Sequence, residues 1–352
     1  MSVMHRLQPK SIWSGALMAA AFAVAISAAR AQQPTPDAQE PAANAQTAAP
    51  RITLIELTPH IAVNDAAALI EAMNYRGAIE ILDGFIANQT EQVPEAFYLL
   101  GLAHYQLGDY AKARLPAERA ALLASDAPVS WLELVADILK RNDEPRAAIP
   151  WLERLIERVP DNKIYWLELS VAYEKVGDLD RALATMRLAH TVQLLNDDAD
   201  FRRLSDLLIN RGLPVQSAEV LEQALAQQIV HADEAAYTKV GTAWFTAGEL
   251  DKAIAPLENA ARVANTGDAY VRLAVVHVAR EDWTAAVAAL HAGMGRGSLT
   301  DEGQANLLMG VALYRQQQFD EARPWFEQAA EVPRHRAAAE DYLRAIEQAT
   351  AD

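Results

Sequence analysis

The chain has 352 residues, 51% of them hydrophobic and 22% charged, with a formal net charge of −16 and a pI near 5.0. That composition suits a globular chain with ample apolar surface and excludes a collagen-like or broadly disordered one, while the acidity argues against nucleic-acid binding through a basic face. With no cysteine, the chain has no disulfide, thiolate metal site, iron–sulfur cluster, cysteine nucleophile or acylated lipoprotein cysteine.

The first element is a targeting segment. Arg6 and Lys10 precede an uncharged run from Ser11 to Ala29. Ala29-Arg30-Ala31 then supplies an A-x-A step before Gln32. A basic start, an apolar middle and small residues at the end read as a secretory signal peptide over 1–31. The alternative is an uncleaved anchor, since the run approaches membrane-spanning length. An export signal of this bacterial look points to the periplasm. Residues 32–50, QQPTPDAQEPAANAQTAAP, show no apolar period and read as a flexible tether. ITLIELTPHIAV at 52–63 is more apolar and is expected to form a strand-like or irregular cap, so that 32–64 is tether and cap.

From residue 65 to 349 one pattern recurs. AYEKVGDLDRALATMRLAH at 172–190 joins two amphipathic runs at Gly177-Asp178, with Ala182 four residues on. The same joint appears as AMNYRGA (72–78), LGDYAKA (107–113), NDEPRAA (142–148), VGDLDRA (176–182), RGLPVQS (211–217), AGELDKA (247–253), REDWTAA (280–286) and QQQFDEA (316–322). About twelve residues before each final small residue stands another: Ala66, Gly101, Ala136, Ser170, Ser205, Gly241, Ala274 and Gly310, spaced 33 to 36 apart. Two helical runs per unit at that period predict stacked helical hairpins. The small residues let backbones approach, because a larger side chain there would overpack by about 1–3 kcal/mol. Gly177 can end one helix in the left-handed conformation, and Asp178 can cap the next.

The prolines at 116, 150, 256 and 324 fall in the second turn of trailing runs and predict slight bends on the convex side. HRAAAEDYLRAIEQA at 335–349 reads as a capping helix with Glu340, Asp341, Arg344 and Glu347 on its wet face.

These units resemble tetratricopeptide repeats. The fourth matches through Trp166, Leu169, Ser170, Tyr173, Ala182, Met186 and Ala189, and the sixth through Tyr237, Val240, Gly241, Trp244, Ala253, Leu257 and Ala260. The first repeat is poor in its leading helix, and the fifth has Ser217 in place of alanine. The resemblance spans roughly 65–332. It implies an all-α fold, a right-handed superhelical solenoid of about eight hairpins with a C-terminal capping helix.

No catalytic constellation stands out: GxSxG, HExxH, Walker A and Rossmann glycine patterns are all missing from the sequence. His104 and His277 occupy aromatic slots of the repeat, and His231 and His291 lie near helix ends or loops, so no metal site is expected. NDDAD (196–200) reads as a solvated, helix-capping turn rather than a calcium loop. GMGRG (293–297) reads as a loose turn between repeats. The expected activity is therefore binding, not catalysis, with no cofactor.

The resemblance places a groove along the leading helices, lined by Tyr98, Tyr105, Glu133, Asp137, Arg141, Glu174, Arg202, Asn210, Phe245, Tyr314 and Arg315. Such grooves hold extended or helical peptides. The lysine and asparagine set with which chaperone-tail-binding members grip a terminal carboxylate is not present.

The later repeats carry Leu213-Pro214, Gly297-Ser298-Leu299 and Gly310-Val311-Ala312-Leu313-Tyr314. In these they resemble periplasmic repeat proteins encoded beside TonB–ExbB–ExbD-type systems. That likeness implies an accessory adaptor in energised outer-membrane uptake, with protein or peptide partners among TonB, ExbB or ExbD-type components. The alternative is a scaffold in outer-membrane assembly, polysaccharide export or cytochrome maturation.

Overall fold

The computed structural model describes residues 61–88 and 92–351. The signal segment and nearly all of the tether and cap region lie outside them. Among the described residues there are seventeen α-helices and no strand, and no helix is long and apolar enough to cross a membrane.

Two compact units divide the chain between Arg211 and Gly212, inside the fifth repeat. The N-terminal unit contains α1 (Ile61–Glu71), α2 (Tyr75–Asn88), α3 (Pro94–Gln106), α4 (Tyr110–Leu123), α5 (Val129–Arg141), α6 (Pro145–Arg158), α7 (Lys163–Lys175), α8 (Leu179–Thr191) and α9 (Asp198–Asn210). In the C-terminal unit are α10 (Pro214–Ala226), α11 (Glu234–Thr246), α12 (Leu250–Val263), α13 (Asp268–Ala279), α14 (Trp283–Arg296), α15 (Glu302–Arg315), α16 (Phe319–Glu331) and α17 (Pro333–Ala351). Within each unit every helix packs on the next in order, and leading helices of neighbouring repeats also touch, as α3 does with α5 and α13 with α15. Both units are stacks of helical hairpins.

The joints carry the local logic. One residue in each of the eight hairpin turns has positive φ: Met73, Gly108, Asp143, Gly177, Gly212, Gly248, Glu281 and Gln317. Gly177 sits at φ +82°, a conformation a side chain would oppose. The Arg181 N–H then donates to the Asp178 carboxylate at 3.1 Å and starts α8. Asp233, Asp282 and Asp301 cap α11, α14 and α15 in the same way, each supplying an acceptor for an otherwise unpaired N–H.

The paired small residues meet as their spacing predicts. Ala66, Ala78, Ala113, Ala136, Ala148, Ser170, Ala182, Ser205, Ser217, Ala253, Ala274, Ala286 and Ala322 are all buried. The Ser170 hydroxyl donates to the Ala182 carbonyl at 3.2 Å, so the two helices touch backbone to side chain. A Cβ added at Gly310 would lie 2.7 Å from the Phe326 ring. Packing, more than propensity, fixes these short helices, because runs of 13 or 14 residues are marginal alone.

Three local expectations change. Residues 61–64 are helical, so they belong to the first hairpin and not to a strand-like or irregular cap. GMGRG is no loose turn: α14 continues to Arg296 and ends at Gly297, φ +75°. Gly293, inside that helix, lies against the Gly267 backbone; a Cβ at Gly267 would fall 2.1 Å from the Gly293 carbonyl oxygen. NDDAD does cap a helix, through the Asp197–Asp200 capping box. Asp200, however, is only 3% exposed and receives Lys163 of the preceding repeat at 2.9 Å, so the turn is clamped and not merely solvated.

Pro116, Pro150, Pro256 and Pro324 all lie inside helices that run on past them. The final helix starts at Pro333, buries Ala339, Tyr342 and Ile346 against α15 and α16, and leaves Glu340, Asp341, Arg344 and Glu347 exposed. The Tyr342 ring stacks on Phe326 at 4.8 Å, closing an apolar edge that would otherwise face water.

Candidate protein-binding surface

In the N-terminal unit, side chains from successive leading helices form a polar ladder. Its centre is Asp137 on α5. The Tyr105 hydroxyl of α3 donates to Asp137 at 2.5 Å, Arg141 Nε donates to the same oxygen at 2.8 Å, and Lys140 Nζ lies 3.0 Å from the other. Lys140 continues to Glu168 of α7 at 2.8 Å. Burial by itself pushes the Asp137 carboxyl up, but the hydrogen bonds from Tyr105, Arg141 and Lys140 outweigh it and hold the group below its usual value. The Arg141 guanidinium also lies over the rings of Tyr105 and Tyr110, 5.4 and 5.1 Å from their centroids, a cation–π arrangement.

Further rungs follow. Tyr165 of α7 donates to Glu133 of α5. On α9, Arg203 pairs with Glu174 of α7 at 2.5 Å. Burial raises the Glu174 carboxyl, Asp206 adds to that, and Arg203 counters it. Lys175 reaches back to Asp143 at 2.5 Å, and Arg202 pairs within α9 with Asp198 at 2.7 Å. These groups are half-exposed, so each pair adds little to stability. Together they hold a row of charges and phenol rings in fixed register.

The structure thus brings Tyr105, Asp137 and Arg141 into one cluster, and puts Glu133 and Glu174 on neighbouring rungs. Tyr98 is a correction. It is 3% exposed, its ring stacks on Trp131 at 4.8 Å, and burial pushes its hydroxyl up to about 12. It is core, because Trp131 at the start of α5 covers it. Asn210 is exposed at the end of α9. In the C-terminal unit, Phe245 is half-buried near the end of α11. Tyr314 packs against Phe319 and Tyr342, both at 5.3 Å, and Arg315 lies over Trp283 at 5.6 Å.

Sequence reasoning passed over Lys140, Tyr165, Glu168 and Arg203. A usable signal existed: groups of opposite charge, or a phenol and a carboxylate, recur about one repeat apart on leading helices. It also passed over His335, which is 9% exposed and lies 2.9 Å from Asp301, tying the final helix to the start of α15. Among the described residues no cluster of three or more histidine or acidic side chains could hold a metal.

Stacked two-helix units joined by small residues, with leading helices aligned in a row, define a helical-hairpin repeat solenoid, a fold that is typically non-catalytic. The family model for the tetratricopeptide repeat matches residues 66–128, 136–191, 202–269 and 271–335, and the chain belongs to that family. No curated protein matches the sequence.

Several solved structures are similar to the chain. A crystal structure of MamA is 22% identical over 46% of this chain and 93% of its own, with a TM-score of 0.41. The APC/C hetero-tetramer Cut9-Hcn1 is 14% identical over 81% of this chain and 55% of its own, with a TM-score of 0.38. Naa15/Naa10 bound to HypK-THB reaches a TM-score of 0.52 at 15% identity, covering 72% of this chain and 39% of its own. At 15% identity the Naa15/Naa10 likeness carries the fold alone. Tetratricopeptide repeats suggest a protein–protein interaction scaffold.

Proposed function

We propose that this protein is a periplasmic interaction scaffold that binds protein partners along the inner faces of its leading helices, as an accessory adaptor of a TonB-type uptake system. The observation that carries the binding role is the ladder from Tyr105 through Asp137, Arg141 and Lys140 to Glu168. It spans three repeats, is preorganised by its own hydrogen bonds, and presents both charges and rings to a peptide. Preorganisation lowers the ordering penalty of association. Export rests on the signal pattern at 1–31, and the TonB-type assignment on the likeness at Leu213-Pro214, Gly297–Leu299 and Gly310–Tyr314.

Crosslinking in cells followed by mass spectrometry is expected to recover TonB, ExbB or ExbD-type components. Recovery of polysaccharide-export, cytochrome-maturation or outer-membrane-assembly machinery in their place replaces the adaptor reading with that process. Replacing Tyr105 and Phe245 by alanine is expected to weaken partner binding at least tenfold when both are changed. Unchanged affinity in each variant moves the binding surface elsewhere.

A further inference from the structure

A second surface lies on the trailing helices of the last two repeats. A trough of about 450 Å³ opens between α14 and α16, lined by Val287, His291, Leu313, Gln318, Glu321 and Trp325 among others. Trp325 is half-buried and Glu321 exposed. The Trp325 and His291 rings lie at 76° with centroids 6.4 Å apart, and the Glu321 carboxylate lines the same trough as the indole.

The molecule supplies its own standard for such a ring. The third and eighth repeats share one local sequence, Ala-x-Pro-Trp-x-Glu, at Ala148–Glu153 and Ala322–Glu327. In the third, Trp151 carries the Arg154 guanidinium 5.2 Å from its ring centroid. The residue at the equivalent place in the eighth repeat is Gln328, which is exposed and carries no charge. Elsewhere Lys252 lies over Trp244 at 4.4 Å and Arg315 over Trp283 at 5.6 Å. Among the described residues no cation lies over Trp325 and no basic group pairs with Glu321. Indole faces attract cations, more strongly where water is displaced, and a carboxylate beside the ring gives a guanidinium a charged acceptor.

We propose that the trough at Trp325 and Glu321 receives an arginine side chain from a basic segment of a partner protein, which gives Trp325 a cation as Arg154 gives one to Trp151. The carboxylate sets the sign of the ligand, the ring sets its planarity, and Val287 and Leu313 bury the methylene stem. Apart from Leu313 near the end of α15 and Gln318 in the turn after it, this surface belongs to trailing helices, and it does not depend on the inner-face reading.

The test is a titration of the full soluble chain with N-acetyl-arginine methylamide, following the Trp325 indole N–H by NMR, with that signal assigned from Trp325→Phe. The signal is expected to move saturably, with half-saturation at about millimolar concentration, the scale for one side chain. The isosteric neutral citrulline compound is expected to leave it in place. Glu321→Gln is expected to raise the half-saturation point at least about fivefold through loss of the ion pair. Gln328→Arg, which transplants the third repeat's own cation to an exposed position, is expected to abolish the response while circular dichroism stays unchanged. An unmoved signal, an equal response to citrulline, an unchanged Glu321→Gln titration, or a Gln328→Arg variant that binds like the parent overturns the proposal.

Discussion

From the third repeat to the fifth, four recurring positions of the leading helices hold Glu133, Asp137, Lys140, Arg141, Glu174, Lys175, Arg202 and Asp206, together with Leu167, Val171, Ile209 and Asn210. At the same repeat positions the sixth to eighth repeats hold Thr238, Thr242, Phe245, Thr246, Val271, Val275, Val278, Ala279, Leu307, Val311 and Tyr314, with Arg315 as the charge among them. The backbone unit is the same, and the small residues at its joints are buried in both units. What differs is how that row is packed: Val271, Val278, Leu307 and Val311 are buried, whereas Glu133 and Asp137 are half-buried and Lys140 and Arg141 exposed. The joints are common to both units, and the character of this row is not. The N-terminal row carries fixed charges, and the C-terminal row is largely apolar and buried, with Phe245 and Tyr314 half-buried.

The largest test of that contrast is Phe326→Ala. Phe326 is fully buried, between Gly310 and Tyr342. Its truncation is expected to lower the stability of the C-terminal unit by about 3–5 kcal/mol, read by urea unfolding. In the N-terminal unit Asp137→Ala strips an acceptor from Tyr105, Lys140 and Arg141, yet the site is half-exposed, so a smaller loss of about 1–2 kcal/mol is expected. Equal losses for the two variants would make the ladder a core element and erase the contrast.

The turns give the next effect, common to both units. Gly177→Ala forces a side chain into a positive-φ position and is expected to cost about 1 kcal/mol. Gln317→Gly relieves φ +61° and is expected to stabilise by up to about 1 kcal/mol. Thermal melts of the pair should shift in opposite directions; a shift in the same direction rules out turn strain as the cause.

Acid should separate the units further. Burial lowers the pKa of His277, which is 8% exposed. The unfolded chain then binds more protons below the usual histidine range, so the contribution of neutral His277 is complete above pH about 6.5 and is lost as pH falls. His104 shifts in the same direction for the same first cause but is half-exposed, so its effect is smaller. Asp137, held below its usual value, contributes above pH about 4 and is lost only in stronger acid. His277→Phe is therefore expected to flatten the stability profile between pH 7 and 5, and Asp137→Asn to leave that interval unchanged. The reverse pattern would misassign both groups. The smallest effect is the Lys140–Glu168 coupling, about 0.5 kcal/mol in a double-mutant cycle, as befits an exposed pair; a coupling above about 2 kcal/mol would show the ladder to be far better shielded than its exposure indicates.

The sequence by itself determined the hairpins, their number, the joints and the capping helix. These depend on contacts within about one repeat, where Gly177, Asp178 and Ala182 act on neighbours a few residues away and Ser170 acts on Ala182 twelve residues away. Local conformational preference and small-residue spacing are written in order along the chain, so they can be read from it. Only the tertiary structure decided the fate of side chains whose partners stand one repeat off. It put Tyr98 under Trp131, set Gly293 against the Gly267 backbone, paired Lys163 with a buried Asp200, and gave Trp151 a cation that Trp325 lacks. Such outcomes depend on direction and burial across the stack, and a one-dimensional pattern fixes spacing without fixing either.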